Sequence, residues 1–319
     1  MVADQEVSNI NLLLEKYRNS PLLLQVGDRL SYADPQTIAL LQLHGSSPEF
    51  LMAALMTAEK TATMNHLVVL NDAEEAAYFH NSLENITGAL DLFYFPSSFK
   101  NRKDFKQVNN SHVMLRTEAL TKMAAGGNKK VVITYPEALF EKVVVPEKLN
   151  SRLIAIKNND TLQLEELMER LVSYGFHRTD FVYEPGQFAL RGGILDIYSF
   201  GNEKPYRIEL FGNEVDSIRL FDPQSQLSER KLLQVNIIPH IETQFTAENK
   251  IPLPAFMPEE TVIWLKDRSL LASKLDEQFE AFQYFEQVPA SAAATENLNE
   301  EDAHQVQSLQ EQDFFRSAE

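Results

Sequence analysis

The sequence predicts an α/β protein: a parallel-sheet domain interrupted by a small, mainly antiparallel α+β domain and completed by a smaller C-terminal lobe. Three observations predict it. Apolar strand-like runs alternate with helical patterns up to about residue 149, and from about residue 152 one helix is followed only by short strands separated by turn residues. Past residue 239 a Pro-spaced segment leads into another strand and helix. The corresponding division is 1–151, 152–239 and 240–319.

In the first zone "HLVVL" (His66 to Leu70) is a buried-strand run, and "NDAEEAAYFHNSL" reads as a helix capped by Asn71. "LDLFYF" (Leu90 to Phe95) is a second strand. A helix from about Ser111 to Ala124 stops at Gly126 and Gly127, and "KKVVITY" (Lys129 to Tyr135) is a third strand. Strands joined through helices pair in parallel, because a parallel pair needs a long crossover.

The second zone starts with the strand "RLIAIK". Asp160, with Gln163 three residues on, reads as a capping-box pair opening a helix that carries Leu164, Leu167, Met168 and Leu171 on one face. Gly175 ends that helix. "DFVYEPG", "QFALRGG", "ILDIYSFGNEKP", "YRIELFGNE" and "VDSIRLFD" then read as short strands with their turns. In the third zone "NKIPLPAFMPEE" is a linker, "TVIWL" a strand, and Asp267 to about Phe285 a helix with Leu271, Leu275, Phe279 and Phe282 on one face. Beyond Pro289 the acidic, polar "ASAAATENLNEEDAHQ" reads as a flexible connection into a last helix. The end at "FFRSAE", without a clear final element, reads as that of a piece of something longer.

Composition narrows the function classes. The 319 residues are 44% apolar and 10% aromatic, enough for real cores. No apolar run of about 18 residues and no basic-then-apolar leader occur, so a cytoplasmic protein without a membrane span is expected. With no cysteine there is no disulfide, thiolate zinc site or cysteine nucleophile. The net charge of −17 opposes sequence-independent DNA binding, which depends on Lys and Arg neutralising phosphates. The densest basic stretch, "NRKDFK" (Asn101 to Lys106), reads as a solvated loop. His44, His66, His80, His112, His177, His240 and His304 show no metal-ligand spacing, and no nucleophile elbow occurs, so neither a metal site nor a catalytic residue is assigned.

The stretch "LLQLHGSSPEFLMAALM" (Leu40 to Met56) has the outline of a phosphate-binding loop without its chemistry. Such a loop needs glycines to bring backbone N–H groups onto phosphates, a lysine for the β and γ phosphates, and a hydroxyl for magnesium. Here Gly45 is followed by Ser46, Ser47, Pro48 and Glu49. Pro48 supplies neither N–H nor charge and Glu49 repels phosphate. The turn reads as an entry into a helix with Pro48 at its first position.

Strand alternation selects an exposed face. In "YRIELF", Tyr206, Ile208 and Leu210 point to one side, and Arg207, Glu209 and Phe211 to the other. Gly212 and Asn213 form a two-residue hairpin loop, which places Glu214 opposite Phe211 and Asp216 opposite Glu209. In "QFALR", Arg191 also points outward. An exposed aromatic beside arginines is a common interface hot spot, and an ordinary solvated sheet face with charge pairs is the alternative.

The run "FVYEPGQFALRGGILDIYSFGNEKPYRIELFGNEVDSIRLFDPQSQLSERKLLQVNIIP" (Phe181 to Pro239) resembles the second domain shared by the excision-repair helicase UvrB and the transcription-repair coupling factors. Upstream, "VVITYPEALFEKVVVP" looks like the end of the first domain of that module, and the similarity is closer to the coupling factors than to the helicase. The resemblance implies a helicase-like parallel-sheet domain with a degenerate phosphate loop at Gly45, Ser46, Ser47, Pro48 and Glu49. Between its parts it implies a UvrA-binding domain, with Arg191, Arg207 and Phe211 in the UvrA-binding surface, joined by Glu209 and Glu214. It implies an N-terminal, non-enzymatic fragment, monomeric and without cofactor. ATP, Mg, DNA and RNA polymerase belong to domains of the full-length protein that this chain lacks. The alternative is a UvrB-like repair ATPase or DNA-binding fragment.

Overall fold

The computed structural model describes residues 2–32, 34, 36–88, 91–101, 104–127, 129–241, 245–287 and 309–318. The chain divides into two compact units, the first made of Met1–Tyr94, Gly126–Tyr135 and Met257–Arg268, the second of Phe95–Ala125, Pro136–Phe256 and Ser269–Glu319.

The first unit holds a four-stranded parallel sheet in the order Thr261–Leu265, Asn65–Val69, Val131–Thr134, Leu92–Tyr94. The two inner strands are buried at every position, which is why their sequences are continuous apolar runs rather than alternating ones. Thr261–Leu265 lies at the sheet edge, almost 200 residues after the strand it pairs with. The helix after the first strand spans Ala73–Thr87, and its N-cap is Asp72 rather than Asn71. The Asp72 carboxylate accepts from the Glu75 N–H at 2.9 Å, while the Asn71 N–H donates to the Glu75 carboxylate. Gly88, at φ 57°, closes the helix.

The second unit is built on a six-stranded sheet in the order Ser228–Leu232, Glu214–Phe221, Tyr206–Phe211, Ile194–Ile197, Gln187–Arg191, His177–Arg178. It is antiparallel apart from the last pair. Phe188, Leu195, Ile197, Tyr206, Ile208 and Ile218 are buried on one face. Ile154–Lys157 pairs with Gln234–Ile237, and the helix Leu164–Ser173 buries Leu167 and Leu171. The same unit contains an aromatic core in which Phe140 stacks on Phe314 at 4.4 Å and Phe105 meets Phe282 edge-on at 5.3 Å.

Several local expectations are corrected. The Asp160–Gln163 capping pair does not form: Asp160 accepts from the Lys157 N–H at 2.7 Å, and Gln163 makes no side-chain cap. "DFVYEPG" is an irregular loop, because Gln187 and Arg191 take up its backbone groups in place of a neighbouring strand. "NRKDFK" falls mostly in a hairpin of Phe99–Asn101 with Asp104–Val108, which buries Phe105; residues 102 and 103 lie outside the described residues. The linker "NKIPLPAFMPEE" contains a short strand, Lys250–Ile251, and a helical turn, Leu253–Phe256. The acidic connection and the start of the expected last helix fall within residues 288–308, outside the described residues. Among the described residues no helix is long and apolar enough to cross a membrane.

Candidate functional site

The six-stranded sheet brings Arg191 and Arg207 onto one carboxylate. Asp196 lies directly across from Arg207 on one side and Ala189 on the other. It is fully buried, and both of its oxygens are occupied. Arg207 Nε donates to Oδ1 at 2.8 Å and Nη2 to Oδ2 at 2.9 Å, while Arg191 Nη2 reaches Oδ2 at 2.6 Å. Each arginine has a further acceptor on a neighbouring loop: Arg207 Nη1 donates to the Gln226 carbonyl at 2.9 Å, Arg191 Nη1 to the Asp180 carbonyl at 2.6 Å. Each guanidinium also lies over an aromatic ring, Arg207 over Phe221 at 4.3 Å and Arg191 over Phe181 at 4.5 Å. The bond to Asp196 raises the Arg207 pKa above an already high value, so the group is permanently cationic.

Two guanidiniums on one carboxylate leave the clamp with a net positive charge, in a protein whose total is −17. The Arg207 side chain is only 13% exposed and that of Arg191 32%, so Arg191 presents more of its edge to solvent. The expected solvent-facing surface is corrected here: Arg191 and Arg207 lie on the side of the sheet away from Leu195 and Ile208, but Asp196, Ala189, Val182 and Phe221 around them are buried. The turn and loop above them cover much of Arg207.

Phe211 stands at the hairpin tip, 85% exposed, opposite Glu214. The tip is braced from the side: the Leu162 N–H donates to the Asn213 carbonyl and the Asn159 N–H to the Val215 carbonyl, both at 2.8 Å. Gly212 turns the chain at φ 62°. Glu209 faces Ser217, not Asp216, because the register shifts between Glu209 and Leu210 and leaves Asp216 as the extra residue. Glu209 accepts from Ser217 Oγ at 2.7 Å and pairs with Arg219 at 3.2 Å, which uses one of its two oxygens within the sheet.

Asp196 and Phe181 are the residues that sequence reasoning missed. A signal existed for Asp196: an acid inside the apolar run "ILDIYSF", on the same alternation face as two arginines, is a candidate counter-ion. Phe181 carried none, because its loop reads as a strand.

The turn at Gly45 has φ 57° and opens the helix Ser47–Thr57. Among the described residues no sheet strand precedes it, and Leu41 on its approach is 81% exposed. Ser46 makes no side-chain cap, Pro48 and Glu49 fill the first helical turn, and Ser47 Oγ and one Glu49 oxygen are buried without a hydrogen-bond partner among the described residues. An acid at this helix end complements the dipole and opposes a phosphate. Of the histidines, His66 and His240 are buried; His66 accepts from Trp264 Nε1 at 3.1 Å through Nδ1, and burial pushes its pKa down to about 4. No cluster able to hold a metal ion occurs among the described residues.

The family model of the UvrB interaction domain matches residues 154–242, the segment that holds every arm of this clamp. The transcription-repair-coupling factor of Bacillus subtilis (strain 168) is 39% identical over 120 residues, 37% of this chain and 10% of that protein. That of Staphylococcus aureus (strain USA300) is 29% identical over 247 residues, 72% of this chain and 20% of that protein. Over these stretches the chain is similar to transcription-repair-coupling factors, and residues 154–242 match the UvrB interaction domain. It matches only 10 to 20% of the length of these two relatives. The Arg191–Asp196–Arg207 clamp and the Phe211 tip both lie within the segment that matches the UvrB interaction domain.

Proposed function

We propose that this chain is the part of a transcription-repair coupling factor that recruits the excision-repair protein UvrA to stalled RNA polymerase. The surface is the face made by Arg191, Arg207, Glu209, Phe211 and Glu214. The observation that carries the reading is the pairing of a fixed cationic clamp with an 85% exposed phenylalanine on one matched domain. Arginine and aromatic anchors held rigid before binding concentrate interface energy, because little side-chain freedom is lost on association.

The reading includes no nucleotide, metal or catalytic step in this chain. It is supported at Gly45 by Pro48 and Glu49 in the first helical turn and, among the described residues, by the lack of a strand ahead of the turn. ATP, Mg, RNA polymerase and DNA are assigned to other parts of the full-length protein, and the chain acts as a cytoplasmic monomer. The division 1–151, 152–239 and 240–319 is proposed to follow function, with the UvrA-binding part inserted between two parts of a helicase-like domain.

Calorimetric titration of the folded chain with UvrA tests the reading, run beside Phe211→Ala. Binding by the wild type that weakens at least tenfold in the variant is expected. A folded wild type that releases no heat with UvrA at any temperature, yet titrates with ATP, would sink it in favour of a repair ATPase fragment.

A further inference from the structure

The irregular loop Asp180 to Gly186 is held as firmly as a strand, yet it turns two aromatic side chains into solvent. Phe181 and Tyr183 are each 49% exposed, while Val182 between them is fully buried against Ala189, Tyr198 and Phe221. Nearly every turn of the loop is tied down. The Tyr183 and Glu184 N–H groups donate to Gln187 Oε1 at 2.8 and 3.1 Å, the Val182 carbonyl accepts from Gln226 Nε2 at 3.1 Å, and the Phe181 carbonyl accepts from Thr179 Oγ1 at 2.9 Å. The Gly186 N–H donates to the Tyr198 carbonyl at 2.7 Å. At that glycine φ is +86° and a Cβ would lie 2.3 Å from the Phe200 ring, so the loop's exit admits no other residue without a shift.

A loop this constrained could have laid its rings on the core; instead its register puts Val182 inward and both rings outward. The two rings are also continuous with the clamp, since the Arg191 guanidinium sits 4.5 Å from the centre of the Phe181 ring and donates to the Asp180 carbonyl. Paired aromatics beside an arginine, rigid in the free protein, are the composition and the preorganisation of an interface centre.

Resting on the proposed UvrA reading, we infer that Phe181 and Tyr183 form a second aromatic anchor of the docking surface, contiguous with Arg191. It fits an apolar patch on UvrA edged by a carboxylate within reach of the Arg191 edge. The site is thereby two-sided: Phe211 on the hairpin tip, and the Phe181–Tyr183 ridge on the loop, with the arginine clamp joining them to the sheet.

The test is the affinity of UvrA for the full 319-residue chain and for its variants Tyr183→Ala, Phe181→Ala and Phe211→Ala. Tyr183→Ala removes a ring without touching the clamp and is expected to bind at least tenfold more weakly with an unchanged melting curve; Phe181→Ala, which also takes the ring from under Arg191, is expected to weaken binding as much with a somewhat lower melting temperature. A second measurement needs no variant: nitration of Tyr183 in the wild type, followed by peptide mass spectrometry, is expected to be suppressed by UvrA. If the wild type binds and Phe211→Ala weakens it, while both loop variants bind normally and Tyr183 nitrates equally with and without UvrA, the ridge is refuted and the UvrA reading stands. If the folded wild type does not bind UvrA, both fall together.

Discussion

Arg207 and Asp196 face each other across adjacent antiparallel strands and are joined by two hydrogen bonds of 2.8 and 2.9 Å, with the carboxylate completely removed from water. The pair is therefore part of the fold before it is part of any interface. Truncation at Arg207 leaves Asp196 with Arg191 as its main partner. Arg207→Ala is expected to destabilise the chain by about 2–4 kcal/mol, read from the urea midpoint of the second unit. Arg207→Glu is expected to cost at least as much, because it sets a second carboxylate against the first. Loss of UvrA binding in either variant is informative only beside a melting curve, and an unchanged urea midpoint would show that the clamp is not structural.

Phe211→Ala separates the two roles. The ring is 85% exposed on a hairpin tip braced through backbone bonds from residues 159 and 162. Its removal is expected to change stability by less than about 0.5 kcal/mol. UvrA affinity is expected to fall by about 1–3 kcal/mol. A large drop in melting temperature would mean that the tip relies on the ring for its conformation.

Glu209→Gln addresses the partly committed acid. Its carboxylate pairs with Arg219 at 3.2 Å and accepts from Ser217 at 2.7 Å, with both charged side chains about one-third exposed. Solvent screening limits the ion pair, so the stability loss is expected to be below about 1 kcal/mol. A UvrA affinity equal to that of the wild type would remove Glu209 from the contact set and leave Glu214 as the acid to test.

His66 gives the first unit a pH dependence. Its pKa falls from 6.5 unfolded to about 4 folded because burial disfavours the imidazolium. Between those values the unfolded chain binds the extra proton, so stability is complete above pH 6.5 and is lost as pH falls toward 4. A loss of about 2 kcal/mol between pH 7 and pH 5 is expected, and His66→Asn is expected to flatten that slope. An unchanged slope in the variant would assign the acid sensitivity to other groups.

Gly186→Ala probes the aromatic ridge from beneath. The added methyl meets the Phe200 ring in a left-handed backbone conformation, and a cost of about 2–4 kcal/mol is expected. Stability within about 0.5 kcal/mol of the wild type would show that the loop has slack.

The sequence by itself determined the α/β character of the first sheet, the antiparallel character of the second, and the exposed place of Phe211 at the hairpin tip. Periods of two and of 3.6 are local properties, and continuous apolar runs such as "VVIT" mark strands covered on both faces. Whatever depended on who meets whom was decided by tertiary structure. Thr261–Leu265 joined a strand almost 200 residues earlier. One extra residue at Asp216 moved Glu209 from its expected partner to Ser217. "DFVYEPG" became a loop because Gln187, Arg191 and Gln226, on other segments, satisfied its backbone groups. Asp196 became the counter-ion of two arginines through a register that alternation alone does not fix. Side-chain direction is written in the local chain, whereas ion pairs, bulges and buried loops are selected by the contacts that become available only when distant segments pack.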